Sequence, residues 1–182
     1  MQLSRELIAR TAVGILDAYG LADVSMRRVA STLEVAPGAL YWHIENKQAL
    51  ITAMADEITA PVLDIEHESP KQFCANLREA LLAHKDGADV VSTAASQPDS
   101  HVYPALLDGI RETFPADLVS ASTEAVDAAA SGLLYLTLGA ANMHQAGIQL
   151  TGLTTGKSTE LQGSEEQVAA AIDLLLSGLT HR

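Results

Sequence analysis

Apolar side chains recur at three- and four-residue intervals along most of the chain, and no segment alternates cleanly as a half-buried strand does. Leu7, Ile8, Ala12, Ile15, Leu16 and Tyr19 form the first such stripe, which predicts a helix from Ser4 to Tyr19. Ser4 offers a cap at its start, and Gly20 stops it by taking a left-handed backbone. Ser25 opens a short helix from Met26 to Leu33. Pro37 suits the first position of a third helix, Pro37 to His43, because a first turn leaves that amide unpaired anyway. Asn46 caps a longer fourth helix that fades near Pro61.

The rest of the chain reads as a larger helical body. Ile65 to Ser69 is a polar linker, and Ser69-Pro70 starts a helix to about His84 that Asp86-Gly87 breaks. A short helix over Ala88 to Thr93 and a loop with Pro98 follow, then a helix from about Ser100 to Phe114 that Pro115 ends. Thr123 to about Gln149 is a long, strongly apolar helix. Leu150 to Gly163 is rich in Gly, Thr and Ser and reads as a loop. Ser164 to Gln167 has the capping-box pattern and opens a last helix to about Leu179. The expected fold class is all-α, with a head over residues 1–46, a connecting helix over 46–63 and a body over 64–182.

The head has a particular shape. Val29, Ala30, Leu33, Val35 and Leu40 are spaced as two helices crossing at a tight turn require. Ala30 is small at the closest approach, and Val35 and Leu40 pin the second helix to the first. Glu34 stands where such turns often carry glycine, and a left-handed backbone there costs roughly 1 kcal/mol. One face of the helix from Pro37 is left outward, able to enter a DNA major groove.

Composition narrows the class. With 48% hydrophobic and 19% charged residues among 182, the chain is an ordinary folded protein. The single cysteine, Cys74, cannot form an internal disulfide and reads as a small buried apolar residue. Arg5, Glu6 and Arg10 interrupt the first apolar run, so no signal peptide is expected. The most apolar run, Ala128 to Ala146, contains Ser131, Thr137, Asn142, His144 and Gln145 and reads as a buried helix. A cytoplasmic protein with no membrane partner is the expectation. A net charge of −12 argues against a DNA partner until it is divided. Residues 1–48 hold five basic side chains (Arg5, Arg10, Arg27, Arg28, Lys47) and five acidic ones (Glu6, Asp17, Asp23, Glu34, Glu45), a net of zero, so the remainder carries all −12. A relatively positive head on an acidic body suits presentation of one end to phosphate.

Leu40-Tyr41-Trp42-His43 followed by Glu45-Asn46-Lys47 resembles the L-Y-W-H-x-x-N-K signature of the tetracycline-repressor (TetR) family of transcriptional regulators. The stretch S-M-R-R-V-A-S-T-L-E-V is similar to that family's second helix and turn. Ala80 to Ala88 (A-L-L-A-H-K-D-G-A) and the triplet Thr137-Leu138-Gly139 extend the likeness into the body. The resemblance implies that residues 1–46 are a three-helix helix-turn-helix DNA-binding domain. Residues 64–182 would then bind an effector and form a homodimer. It places Arg27, Tyr41, His43 and Lys47 at positions that meet DNA, most of them at phosphate, with Arg28 beside them. Pro37, Gly38 and Ala39 stand at the base-reading edge, where they can touch a thymine methyl but cannot make a bidentate bond to a purine. Trp42 is assigned to packing.

The resemblance also implies a pocket. Leu63, Phe73, Leu77, Leu81, Val91, Tyr103, Ile110 and Met143 lie on segments that line the family's effector site. Tetracycline repressors hold a drug–magnesium chelate through a His and a Glu, and alignment puts Val91 and Met143 at those places. Neither can ligate a hard cation, so no metal or other cofactor is expected and the effector is a mostly apolar organic molecule other than tetracycline–magnesium. His84, His101 and His144 are scattered and read as structural. Leu133, Leu134, Leu136 and Leu138, with Ile172, Leu174, Leu175, Leu176 and Leu179, exceed what one core face needs. They supply the expected dimer bundle, whose two heads would meet half-sites about 34–36 Å apart or at a related spacing on a palindromic operator. A repressor released by its effector is the favoured reading, with an activator of the same family as the alternative. No G-x-S-x-G, H-E-x-x-H, P-loop or paired carboxylates suggest an enzyme. A helix-turn-helix used for protein contact is the alternative from a different class.

Overall fold

Side-chain caps set where the N-terminal helices begin. Ser4 Oγ accepts the Leu7 amide at 3.2 Å and starts α1 (Arg5–Tyr19). Ser25 Oγ accepts the Arg28 amide at 3.2 Å and starts α2 (Met26–Thr32). Asn46 Oδ1 accepts the Ala49 amide at 2.8 Å and starts α4 (Lys47–Leu63). Each oxygen satisfies one of the amides that a first turn leaves without a partner. Gly20, after α1, has φ +92° and ψ 169°, a region open essentially to glycine alone rather than the left-handed helical one expected. A single 3-10 turn, Leu21–Asp23, completes the corner between α1 and α2.

The computed structural model describes residues 2–116, 122–153 and 164–180, and no strand occurs among them. The helix α3 is one turn, Pro37–Leu40, shorter than the span to His43 that was expected. The Leu40 carbonyl accepts the amides of both His43 and Ile44 at 2.9 Å, and the chain tightens there into a turn. Val29, Ala30 and Leu40, all fully buried, form the crossing of α2 and α3. Between them Glu34 has φ +56°, a left-handed backbone at the turn position where glycine is common. The Val35 amide reaches back to the Ala30 carbonyl at 3.0 Å and the Glu34 amide to that of Ser31 at 3.2 Å, the Schellman pattern that ends a helix.

The remaining helices are α5 (Pro70–Leu82), α6 (Gly87–Ala95), α7 (Val102–Glu112), α8 (Thr123–Leu153) and α9 (Glu165–Thr180). The loop read over 150–163 is helical as far as Leu153, and its remainder lies outside the described residues. The chain divides into two units interleaved in sequence: residues 1–61 with 80–103, and residues 62–79 with 104–182. A cut by chain order, at 46 and 64, does not show that residues 80–103 pack with the N-terminal helices. Ile8, Leu16, Leu50, Met54 and Leu81 are buried in the first unit. Phe73, Leu77, Leu106 and Ile110 are buried in the second. Burying each large apolar side chain contributes about 1.5–3 kcal/mol relative to leaving it in water.

In the second unit α9 packs along α8. Leu133, Leu134, Leu138 and Ile172, read as surplus apolar surface, are buried within this chain. Among the described residues, the large apolar side chains left outward on the two helices are Tyr135, Met143, Ile148, Leu150 and Leu174, the last 74% exposed. Cys74 is buried, and that burial pushes its thiol up to about 11 against a smaller opposing effect of a hydrogen bond with Thr137.

Candidate nucleic-acid interface and effector cavity

The surface around α3 is built by what its one turn leaves out. Leu40 and Ile44 take the buried positions, so the three residues between them, 41–43, fall outside. Tyr41 is 52% exposed and Trp42 89% exposed. The expectation that Trp42 packs is therefore corrected: the helix ends before it, and no core position remains for its ring. Pro37, Gly38 and His43 are exposed and Ala39 is half-buried. A Cβ built on Gly38 would meet nothing within 4 Å. Lys47 is exposed as the first residue of α4, where unpaired amides and the helix dipole favour an anion. Residues 37–47 thus set a phenol, an indole, an imidazole and an ammonium group along one exposed stretch.

The two arginines of α2 differ. Arg27 is exposed. Arg28 is committed within the chain: its guanidinium pairs with Asp23 and lies 3.9 Å from the centroid of the Tyr19 ring. Its neighbours tie α2 to the corner that precedes it.

The eight residues expected at the effector site are divided between the two units. A concavity of about 470 Å³ in the second unit is lined by Leu63 and Phe73 among them, together with Val62, Asp64, Ile65, Glu66, His67, Gly109, Glu112 and Thr113. Leu77 and Ile110 are sealed in the core of that unit, and Met143 is 57% exposed. Leu81, Val91 and Tyr103 belong to the first unit, the first two fully buried and Tyr103 partly so. Three of the lining residues missed, Ile65, Glu66 and His67, came from the segment read as a linker. His67 Nε2 lies 2.8 Å from the Val62 carbonyl, and its ring meets Phe73 edge-on at 4.8 Å between centroids. A Cβ on Gly109 would stand 2.7 Å from the Phe73 ring, so a residue with no side chain is what lets α7 pass that close. The lining is mixed, with three carboxyl side chains beside the apolar ones, rather than the mostly apolar wall expected. Among the described residues no cluster of three or more His, Cys, Asp or Glu could hold a metal ion. No described helix is long and apolar enough to cross a membrane.

Residues 8–54 match the profile of the bacterial regulatory proteins, tetR family. Over 99 residues the chain is 35% identical to the class C tetracycline repressor of Escherichia coli, an alignment that takes in 49% of this chain. It spans only 44% of that relative's length. The crystal structure of Mycobacterium smegmatis BioQ is similar throughout, at 35% identity, with 98% of each chain covered and a TM-score of 0.81. BioQ solved with its natural double-stranded DNA operator is 33% identical, with 100% of both chains covered and a TM-score of 0.79. The chain belongs to the TetR family of bacterial regulatory proteins.

Proposed function

We propose that this chain is a transcriptional repressor that binds a palindromic operator as a homodimer and leaves it when a small organic effector binds. The observation that carries the reading is the exposed stretch 37–47, an indole and a phenol flanked by His43 and Lys47 on a helix-turn-helix whose own core is complete without them. A duplex supplies what such groups lack: phosphate oxygens for Tyr41, His43, Lys47 and Arg27, and thymine methyls for Pro37 and Ala39. Similarity to BioQ, a protein solved on its operator, supports the same use here. Outward Tyr135, Met143, Ile148 and Leu174 on α8 and α9 support pairing through those helices, because apolar surface of that size on adjacent helices gains by being covered. The concavity beside Phe73 supports an effector of drug-like size with both apolar and polar groups. The protein acts by binding, without catalysis, in the cytoplasm.

Selection of duplexes from a random-sequence pool by the purified protein tests the reading. Enrichment of a palindrome with half-sites about one helical turn apart, or a related spacing, is expected. Trp42 is the only tryptophan and is 89% exposed, so its fluorescence should change when that duplex binds. No enrichment at low salt, or binding by a monomer to a single half-site, overturns it. For the effector, compounds that raise the melting temperature are added to the bound duplex. Saturation without loss of DNA affinity refutes release.

A further inference from the structure

In the first unit, two carboxylates sit where local structure does not favour them. Asp86, just before α6, has φ +56°, a left-handed backbone that a side chain rarely adopts. Asp17 lies in the last turn of α1, where a negative charge opposes the helix dipole. Each makes the same contact in opposite directions. Asp86 Oδ2 accepts the Leu21 amide at 2.8 Å, and Asp17 Oδ1 accepts the Lys85 amide at 3.2 Å. His84 Nδ1 adds a contact to Asp17 Oδ2 at 3.0 Å. The two turns are close-fitting: a Cβ on Gly20 would stand 3.0 Å from Asp86 Oδ2, and one on Gly87 only 2.4 Å from the Leu81 carbonyl oxygen.

We infer that Asp17 and Asp86 form a reciprocal clasp, each holding a backbone amide of the other's segment, and that Asp86 is a positioning residue for DNA binding. Leu21 opens the 3-10 turn that ends at Asp23, and Asp23 pairs with Arg28 of α2. Arg28 in turn lies over Tyr19, the last residue of α1. The amide that Asp86 holds is therefore the first link of a corner whose last link is α2, which carries Arg27 and seats α3 through Val29, Ala30 and Leu40. A charge-assisted bond at that point selects one orientation of α2 among those a loose corner would permit. Neither carboxylate need touch DNA. The inference rests on the DNA-binding reading above, and its test separates the two.

The probe is the duplex that the wild-type protein selects, followed by fluorescence anisotropy at several salt concentrations. D86G relieves the left-handed backbone and removes the acceptor. D86N keeps a side-chain oxygen and tolerates the same backbone. D17A removes the other half of the clasp while placing a good helix former in α1. D86G should bind about tenfold more weakly or worse, tenfold being near the low end of what losing one hydrogen bond to a charged group costs. D17A should weaken binding about threefold for its longer bond, and D86N should stay within about twofold of wild type. The slope of affinity against salt should not change in any of them, because no phosphate contact is lost. Melting temperatures confirm that each variant is folded at the assay temperature, and D17A, on an exposed helix position, keeps the test open if D86G is not. Amide hydrogen exchange at Leu21 should be about as much faster in D86G as its affinity is weaker. Wild-type affinity in D17A and D86G, or D86N as weak as D86G, overturns the positioning role. Wild-type exchange at Leu21 in D86G overturns the clasp whether or not the protein selects a duplex.

Discussion

Gly38→Ala separates what the fold needs from what DNA needs. Gly38 is the second residue of α3, it is exposed, and a Cβ there meets nothing within 4 Å. Its backbone is not among the positive-φ glycines, so alanine fits without strain. Alanine in place of glycine inside a helix stabilises by up to about 1 kcal/mol, and in the first turn of so short a helix about half of that remains. For a chain of this length, about 0.5 kcal/mol raises the melting temperature by about 1–2 °C. On DNA the sign reverses. A methyl group standing off the outward edge of α3 holds the groove away from the backbone, and a tenfold loss of affinity for the selected duplex, about 1.4 kcal/mol, is expected. Thermal denaturation and fluorescence anisotropy on one preparation measure both. A higher melting temperature with unchanged affinity would refute the claim that this edge meets DNA. A lower melting temperature would refute the argument from open space.

Three further outcomes follow from the geometry. Lys47→Ala should weaken binding to selected and unrelated duplexes alike and flatten the salt slope by about 1, read by anisotropy across a potassium chloride series. Gly109→Ala forces a Cβ to within 2.7 Å of the Phe73 ring and should cost about 1–3 kcal/mol in urea denaturation while reshaping the cavity. Cys74 gives a pH dependence: its folded thiol stays protonated up to about 11, above its ordinary value, so the unfolded chain loses the proton first. Stability from this group is complete below the ordinary thiol range and falls as pH rises toward about 11. Cys74→Ala should remove that part of the alkaline decline in urea midpoints.

Much of the head was legible in the residues because its signals are local. Ser4, Ser25 and Asn46 cap the helices they precede, and Glu34 bends where the turn requires it. Trp42 was misplaced because a large aromatic is usually buried, whereas α3 ends at Leu40 and the buried positions around it go to Leu40 and Ile44. In α8 the apolar residues run round the whole circumference, so periodicity cannot say that Leu133 faces the core and Tyr135 the solvent. The packing of residues 80–103 with the first helices rests on bonds such as Leu21 to Asp86, sixty-five residues apart, which no local pattern encodes. The cavity lining went unread for a related reason: Glu66 and His67 look like solvated linker residues until Phe73 and Gly109 are brought beside them.

A helix of one turn cannot hold its own shape in water, since ordering its backbone outweighs the few bonds it closes. α3 is rigid only because Leu40 is seated against α2. Its two exposed residues, Pro37 and Gly38, contribute little to that seat. Mutation can therefore reword them at little penalty to the protein's survival, while half-buried Ala39 is less free and Leu40 stays under constant constraint. In lineages descended from this chain, a change of target sequence should come first at those two positions, without a prior stabilising substitution elsewhere.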